Sequence, residues 1–273
     1  MTATLRFDPV RATPAAVRQW WVLGGRTIVP ALLSGELLTC VLAPIVFTAG
    51  FYIPLNRVMS FAGTGFSSYA QFMMPLVILQ ACAFTAISAA LRAATDAASG
   101  LDRRFTAMPI RPLVPVAARM SGSAVRLVIS LATAVLCGHV IGFRFRLDAA
   151  HTLGFLALSL CIGLAFTLAA DVVGTAFRSP ESITQILGLP PVILGMLSTG
   201  LAPVRQFPHW IQPFVRNQPV SQFATALRAF AGDTGGHCPA LTPALLAPSL
   251  YWIAAIFAVC VPVAWRLNTR SHR

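Results

Sequence analysis

The sequence contains no lysine and only 8 acidic residues, and 10% of its 273 residues are charged. Soluble domains carry about 25% charged residues, so a water-soluble globule is a poor fit. Without lysine there is no P-loop lysine, no Schiff base and no Ser-Lys dyad, and a Walker A loop of the usual kind is excluded. Catalytic constellations are lacking as well. No CxxC occurs, no Ser/His/Asp set shares one depth, and His237-Cys238 stands alone without metal-ligand spacing. Cys40, Cys82, Cys137, Cys161 and Cys260 lie inside apolar stretches, where a thiol packs as a small hydrophobe.

Apolar residues are what the chain has in excess: 56% are hydrophobic and the mean hydropathy is +0.74. A helical span takes about 20 apolar residues, and suitable runs recur at 31–53, 69–91, 119–142, 152–173, 184–204 and 244–265. The expected fold is all-α: one polytopic membrane domain over residues 1–273, with six transmembrane helices. The mixed residues before the first run exceed the 7–15 residues of a signal-peptide core, so the N-terminus is expected to be retained.

All 20 cations are arginine, and the net charge is +12. They sit in short loops between apolar runs, so the positive-inside rule accounts for them better than nucleic-acid binding does. Thirteen arginines fall on one side of the six-span layout and six on the other, with Arg126 inside a span. Both termini are therefore expected in the cytoplasm, with the chain in the cell membrane.

Three segments outside the spans carry pattern. In 14–30, Val17, Trp20, Trp21, Gly24 and Ile28 share one helical face, which fits an interfacial helix anchored by Trp20 and Trp21 or an extension of the first span. The charged loop 92–119 fits a short helix from Asp96 to Met108, ended by Pro109. Leu101, Phe105 and Met108 form one face, either a docking surface for a cytoplasmic partner or part of a solvated loop. Outside, 205–232 is too apolar for a plain loop and too broken for a span. Phe207, Trp210, Ile211 and Phe214 mark one amphipathic piece. Ser221 is expected to cap a second, with Phe223, Leu227 and Phe230 on one face and Gly232 as its stop. Two short re-entrant helices or a folded outer flap both suit this pattern.

Ionisable groups inside a span cost at least about 2.5–3.5 kcal/mol at its centre, so Glu36, Arg126 and Asp171 are functional candidates. All three lie toward the expected cytoplasmic side, where Arg126 pairs with Glu36 or Asp171, or each snorkels to the interface. His139 reads as a helix-packing residue. Pro44, Pro75, Pro190 and Pro191 interrupt spans and mark expected helix breaks.

These features together resemble a known family. The motifs that carry the likeness are Ser34-Gly-Glu-Leu-Leu-Thr39, Ala43-Pro-Ile-Val-Phe47, Gly50-Phe-Tyr-Ile-Pro54, Leu91-Arg-Ala-Ala-Thr-Asp96, Ala170-Asp-Val-Val-Gly-Thr175 and Phe207-Pro-His-Trp-Ile-Gln-Pro-Phe-Val-Arg-Asn-Gln-Pro219. From about Trp20 to Asp233 the chain resembles the ABC-2 type permeases of the daunorubicin-resistance exporters, above all their mycobacterial branch. That resemblance implies a permease half driven by a separate cytoplasmic ABC ATPase and paired with a second permease, related or identical. ATP and Mg would be bound by the ATPase and no cofactor by this chain, a transport subunit rather than an enzyme. It also implies that Asp96, Leu101, Asp102, Arg103, Arg104, Phe105 and Met108 form the ATPase-coupling contact. The outer segment, with Phe207, Trp210, Phe214, Gln218 and Pro219, would be re-entrant. Many relatives carry a glutamate-rich loop where this chain reads Gly100-Leu-Asp-Arg-Arg. The family's cargoes are anthracyclines and large waxy lipids, and the mycobacterial likeness points to the lipids.

Two other readings stand beside it. A proton-coupled multidrug antiporter would use Glu36 and Asp171, and a membrane-embedded enzyme would need a catalytic set that the chain does not display. Charge reversal of the loop, Arg103→Glu with Arg104→Glu, is expected to leave the chain in the membrane while abolishing energised export. Full export by that variant, measured in whole cells, contradicts the docking role.

Overall fold

A computed structural model of the chain describes residues 25, 36–61, 69–100, 114–232 and 241–270. The described residues form α1 (Glu36–Phe61), α2 (Tyr69–Ala98), α3 (Val114–Val140), α4 (Ala149–Phe177), α5 (Pro180–Gly188) and α6 (Pro190–Met196). A 3-10 turn at Val204–Gln206, α7 (Gln212–Asn217), α8 (Pro219–Ala231) and α9 (Pro243–Arg270) complete them. Five of these helices, α1, α2, α3, α4 and α9, are long and apolar enough to cross a membrane.

The expected fifth span, 184–204, is not one helix. α5 and α6 take its place, joined at Leu189, and the chain then turns through 197–203. Pro190 and Pro191 have no N–H to donate to the preceding turn, and their rings crowd its carbonyls. Pro44, Pro54 and Pro75, by contrast, lie inside unbroken helices. Lipid-embedded helices accommodate proline where neighbouring groups re-satisfy the freed backbone. The expected interfacial helix 14–30, with Trp20 and Trp21, lies outside the described residues apart from Gly25.

α2 is the central element. Its 30 residues reach about 45 Å, some 15 Å beyond a hydrocarbon core. It packs against α1, α3, α4, α5, α6 and α8, and it is buried along most of its length. α9 and α1 sit outermost and expose much of their apolar surface. That distribution suits lipid, where burying hydrocarbon brings no gain and small residues decide which helices touch.

The α2–α4 contact shows this principle. Ala86, Ala90 and Ala94 of α2 pack on Ala170 of α4, with Ile183 of α5 closing the cluster. A Cβ on Gly174 would stand 2.2 Å from the Ala90 carbonyl oxygen, so the two backbones are in direct contact there. Within the spans, Thr85, Ser159, Thr167 and Thr175 each donate to the carbonyl four residues earlier. A second cluster, at the N-terminal end of α2, joins Met73 and Met74 to Phe143, Phe155, Phe223 and Leu227.

Gly174→Leu is expected to force α2 and α4 apart, at a cost of about 1–3 kcal/mol in mixed-micelle unfolding. Gly50→Ala, whose added Cβ meets nothing within 4 Å, is expected to be neutral or stabilising. Equal stability of the two variants contradicts the assigned contact.

Candidate functional site

The sequence candidates fall at two ends of the bundle. At the end holding the C-termini of α2 and α4 and the N-terminus of α3, Asp171 is 3% exposed and gripped by a guanidinium. Arg119 Nε donates to Asp171 Oδ1 at 2.9 Å and Nη2 to Oδ2 at 3.1 Å, a two-pronged pair. The arginine at Asp171 is therefore Arg119, one and a half turns into α3, where the sequence reading had Arg126 as the candidate. The reason lies in the helix start. α3 begins at Val114 rather than 119, which carries Arg119 from the loop into the bundle. Arg126 sits two turns further along at 1% exposure and donates from Nη2 to Ser123 Oγ at 2.8 Å. Glu36 opens α1 by its backbone, and its side chain lies outside the described residues.

Asp96 lies in the last turn of α2, which runs on to Ala98, and not in a separate helix as expected. Ser99 and Gly100, with Gly100 at φ 71°, close that helix. Leu101, Asp102, Arg103, Arg104, Phe105 and Met108 lie outside the described residues. Past the Asp171 pair, Ser179 caps α5 by accepting from the Ser182 N–H. There the Ser179 hydroxyl also donates to the Glu181 carboxylate at 3.0 Å.

The opposite end is built around α8, which packs among α2, α4 and α9 rather than standing off as a separate flap. Its cap differs from the expected one. Gln218 is the N-cap residue with Pro219 at the first helical position, and Ser221 lies inside the helix, where its Oγ accepts from the Thr199 N–H at 3.0 Å. Gly232 stops α8 as expected, in the left-handed conformation at φ 70°. Gln218 is buried, and its Nε2 donates to the Leu197 carbonyl and to the Leu194 carbonyl at 3.3 Å. Trp210 and Phe214 are exposed, on the stretch leading to α8.

Two residues of this end were missed by a search confined to charges within the expected spans. Arg228 was assigned to a loop, yet it is 7% exposed in α8. Its Nε donates to the Phe72 carbonyl at 3.1 Å, its Nη2 to the carbonyls of Thr199 at 2.5 Å and Gly200 at 3.2 Å, and its guanidinium lies 3.8 Å over the Phe72 ring. Gln71 was passed over as neutral. Its Nε2 donates to the carbonyls of Arg144 and Ala231, and its Oε1 accepts from the Arg144 N–H. A polar residue recurring inside an apolar run was the signal available. His139 is a packing residue as read: its Nδ1 meets the Val135 carbonyl at 2.8 Å, and its ring lies among Phe143 and Phe145.

Among the described residues no group of His, Cys, Asp or Glu could hold a metal ion. A family model described as "ABC-2 family transporter protein" matches residues 49–266. The chain belongs to the ABC-2 transporter family.

This ABC-2 permease is 47% identical over 247 residues to the doxorubicin resistance ABC transporter permease protein DrrB of Mycobacterium tuberculosis, covering 89% of this chain and 86% of that one. It is 30% identical over 226 residues to a protein from the same organism named "Probable doxorubicin resistance ABC transporter permease protein DrrC", covering 82% and 78%. Daunorubicin resistance ABC transporter permease protein DrrB1 of Streptomyces coeruleorubidus is 27% identical over 241 residues, covering 87% and 81%. The permease is thus a multi-pass membrane protein whose relatives are named as transport subunits.

Arg119→Ala and Asp171→Ala are each expected to destabilise the permease by about 3–5 kcal/mol, because each removes one partner of a buried ion pair. The double variant is expected to cost less than the sum of the two, read from a double-mutant cycle in mixed micelles. Additive losses contradict the pairing.

Proposed function

We propose that this chain is the transmembrane subunit of an ATP-driven exporter that moves hydrophobic or amphipathic molecules out of the cell. The observation that carries the reading is the family match over 49–266, which takes in every described helix from α2 to α8. A chain without lysine needs its energy from elsewhere, and a separate ABC ATPase supplies it. The ATPase docks on the 92–119 loop, with Asp96 at its edge and Arg103 and Arg104 at its centre. α2 and α3, each longer than a bilayer core, lead from that loop into the bundle. Movement there reaches α8 at the far end through α2 as one rigid element.

The chain sits in the plasma membrane with both termini in the cytoplasm, as the arginine bias favours. α5 and α6 together make the sixth crossing, bent at Pro190. Phe207, Trp210 and Phe214 then lie in the outer headgroup layer, where aromatic rings are favoured. A second permease completes the exporter. The paired DrrB-like and DrrC-like relatives in one organism support a heterodimer over two copies of this chain. The doxorubicin- and daunorubicin-resistance names of the relatives favour anthracycline-like cargo, and large envelope lipid is the other cargo of the same physical class. The proton-coupled alternative loses ground because Asp171 is engaged by Arg119 in a two-pronged ion pair.

Extraction of the tagged chain from native membranes in mild detergent tests the assembly. The expected outcome is an ATPase and a second permease in stoichiometric amounts. The chain recovered alone, under conditions that keep a known ABC complex intact, overturns the reading.

A further inference from the structure

The break between α5 and α6 leaves a space inside the bundle. α5 is fixed where Ile183 joins Ala86, Ala90 and Ala170 in one cluster. α6 is fixed against α2 at a second point. A Cβ on Gly195 would stand 2.2 Å from Gln80 Nε2, and that amide donates to the Pro191 carbonyl at 3.2 Å. Between those two contacts the chain passes through Leu189 and two prolines, and there an apolar cavity of about 240 Å³, open on one side, lies against α2 and α4. Ile87, Phe166, Ala169, Val173, Leu187 and Leu194 line it and are half-buried. Gln80 is the one strongly polar side chain among its described lining residues, and its Nε2 is already engaged by Pro191.

An apolar cavity stays dry, and one of about 150 Å³ takes up benzene in place of water. The occupant here is therefore hydrocarbon, and size and level narrow it. Drug-sized ligands occupy pockets of about 300–1,000 Å³, so this space takes a short run of methylenes rather than an entire drug. On α2 the lining residues run from Leu79 to Ile87, about 15 Å from either end of the helix. Half of a hydrocarbon core is also about 15 Å thick, which sets the cavity at the level where lipid chains end. The surroundings are apolar as well: Leu189 and Ile193, which flank the two lining prolines in the chain, are 67% and 49% exposed. An alkyl chain arriving from the bilayer meets hydrocarbon along its whole path, whereas a head group meets no charged residue in the described lining.

We propose that this cavity is a lipid site, occupied by the end of one acyl chain of a bilayer lipid, which fills the gap that the α5–α6 break leaves against α2 and α4. The chain is a resident ligand and not cargo. The site therefore goes beyond the exporter reading and needs only the bilayer.

The test uses the full chain, with whatever subunits co-purify, in nanodiscs of phosphatidylcholine. A small fraction of that lipid carries a diazirine either at the end of one acyl chain or beside its carbonyl, and labelled residues are identified by mass spectrometry. The chain-end probe is expected to label Ile87, Phe166, Ala169 and Val173 several-fold more than the carbonyl-proximal probe does. Equal labelling by the two probes, or none at these residues, overturns the proposal on the unaltered chain. Ala83→Phe and Leu187→Trp fill the cavity from opposite walls. Each is expected to abolish labelling of Phe166 and Ala169 while labelling of the exposed face of α9 persists, which reports that the bundle is intact. Undiminished labelling of Phe166 and Ala169 in both variants overturns the proposal. Added doxorubicin is expected to leave the labelling unchanged, and its loss assigns the cavity to cargo instead. Labelling seen on the isolated chain but absent from the co-purified assembly assigns the cavity to a partner subunit, and either of those results overturns the lipid site. No ATP enters the measurement, so failure of ATP-driven export leaves this site standing, and failure of the labelling leaves the exporter reading standing.

Discussion

Where Gly174 meets the Ala90 carbonyl, α2 and α4 touch backbone to backbone, and the rest of the bundle is arranged around that approach. In lipid there is no hydrophobic gain from pressing two apolar helices together, so contact depends on small side chains and on polar groups that satisfy one another. The alanines of α2 opposite Ala170 supply the first condition. Arg119 and Asp171 supply the second, at the same end and less than a turn beyond. A bulkier residue at 174 would separate the helices and strain the ion pair with them. The pair itself is a constraint as much as a source of stability, because two buried charges repay their desolvation only in good geometry.

The end around α8 is held by different means. α8 buries Phe223 and Leu227 in the cluster with Met73 and Phe143, and side chains that donate to backbone carbonyls tie it further. Arg228 reaches the carbonyls of Phe72, Thr199 and Gly200, and Gln71 and Gln218 reach those of Arg144, Ala231, Leu194 and Leu197. Apart from that of Phe72, in the first turn of α2, these carbonyls belong to turns and C-terminal helix ends, where the ladder leaves acceptors over. Irregular backbone at membrane depth is stable only when protein covers it, and these three side chains provide that cover. One end of α2 is thereby braced by neutral and cationic donors, and near the other the Arg119–Asp171 ion pair joins α3 to α4.

Helices were legible in the sequence wherever one long apolar run coincided with one helix, as at α2, α4 and α9. Their ends were less so, because polar residues continue a helix past the hydrocarbon. α2 extends through Asp96 to Ala98, and α3 starts five residues before its expected boundary, which is why Arg119 was read as a loop cation. Proline was over-read at Pro44 and Pro75, where the helices continue, and correctly read at Pro190 and Pro191, where two adjacent prolines remove two donors. Charge inside a run marked Asp171 and Arg126 as buried, yet the partner of Asp171 depends on helix phase and tilt that no single segment encodes. Arg228 illustrates the same limit: in sequence it is one more cation in an amphipathic outer piece, and only packing against α2 makes it a brace.

The central claim is that ATP hydrolysis by a separate subunit drives export through this chain. The direct measurement is doxorubicin accumulation in inverted membrane vesicles carrying the chain together with its co-purifying subunits. Accumulation that requires ATP, stops with vanadate and persists when a protonophore collapses the proton gradient is the predicted result. Accumulation that proceeds without ATP and disappears with the gradient contradicts the account.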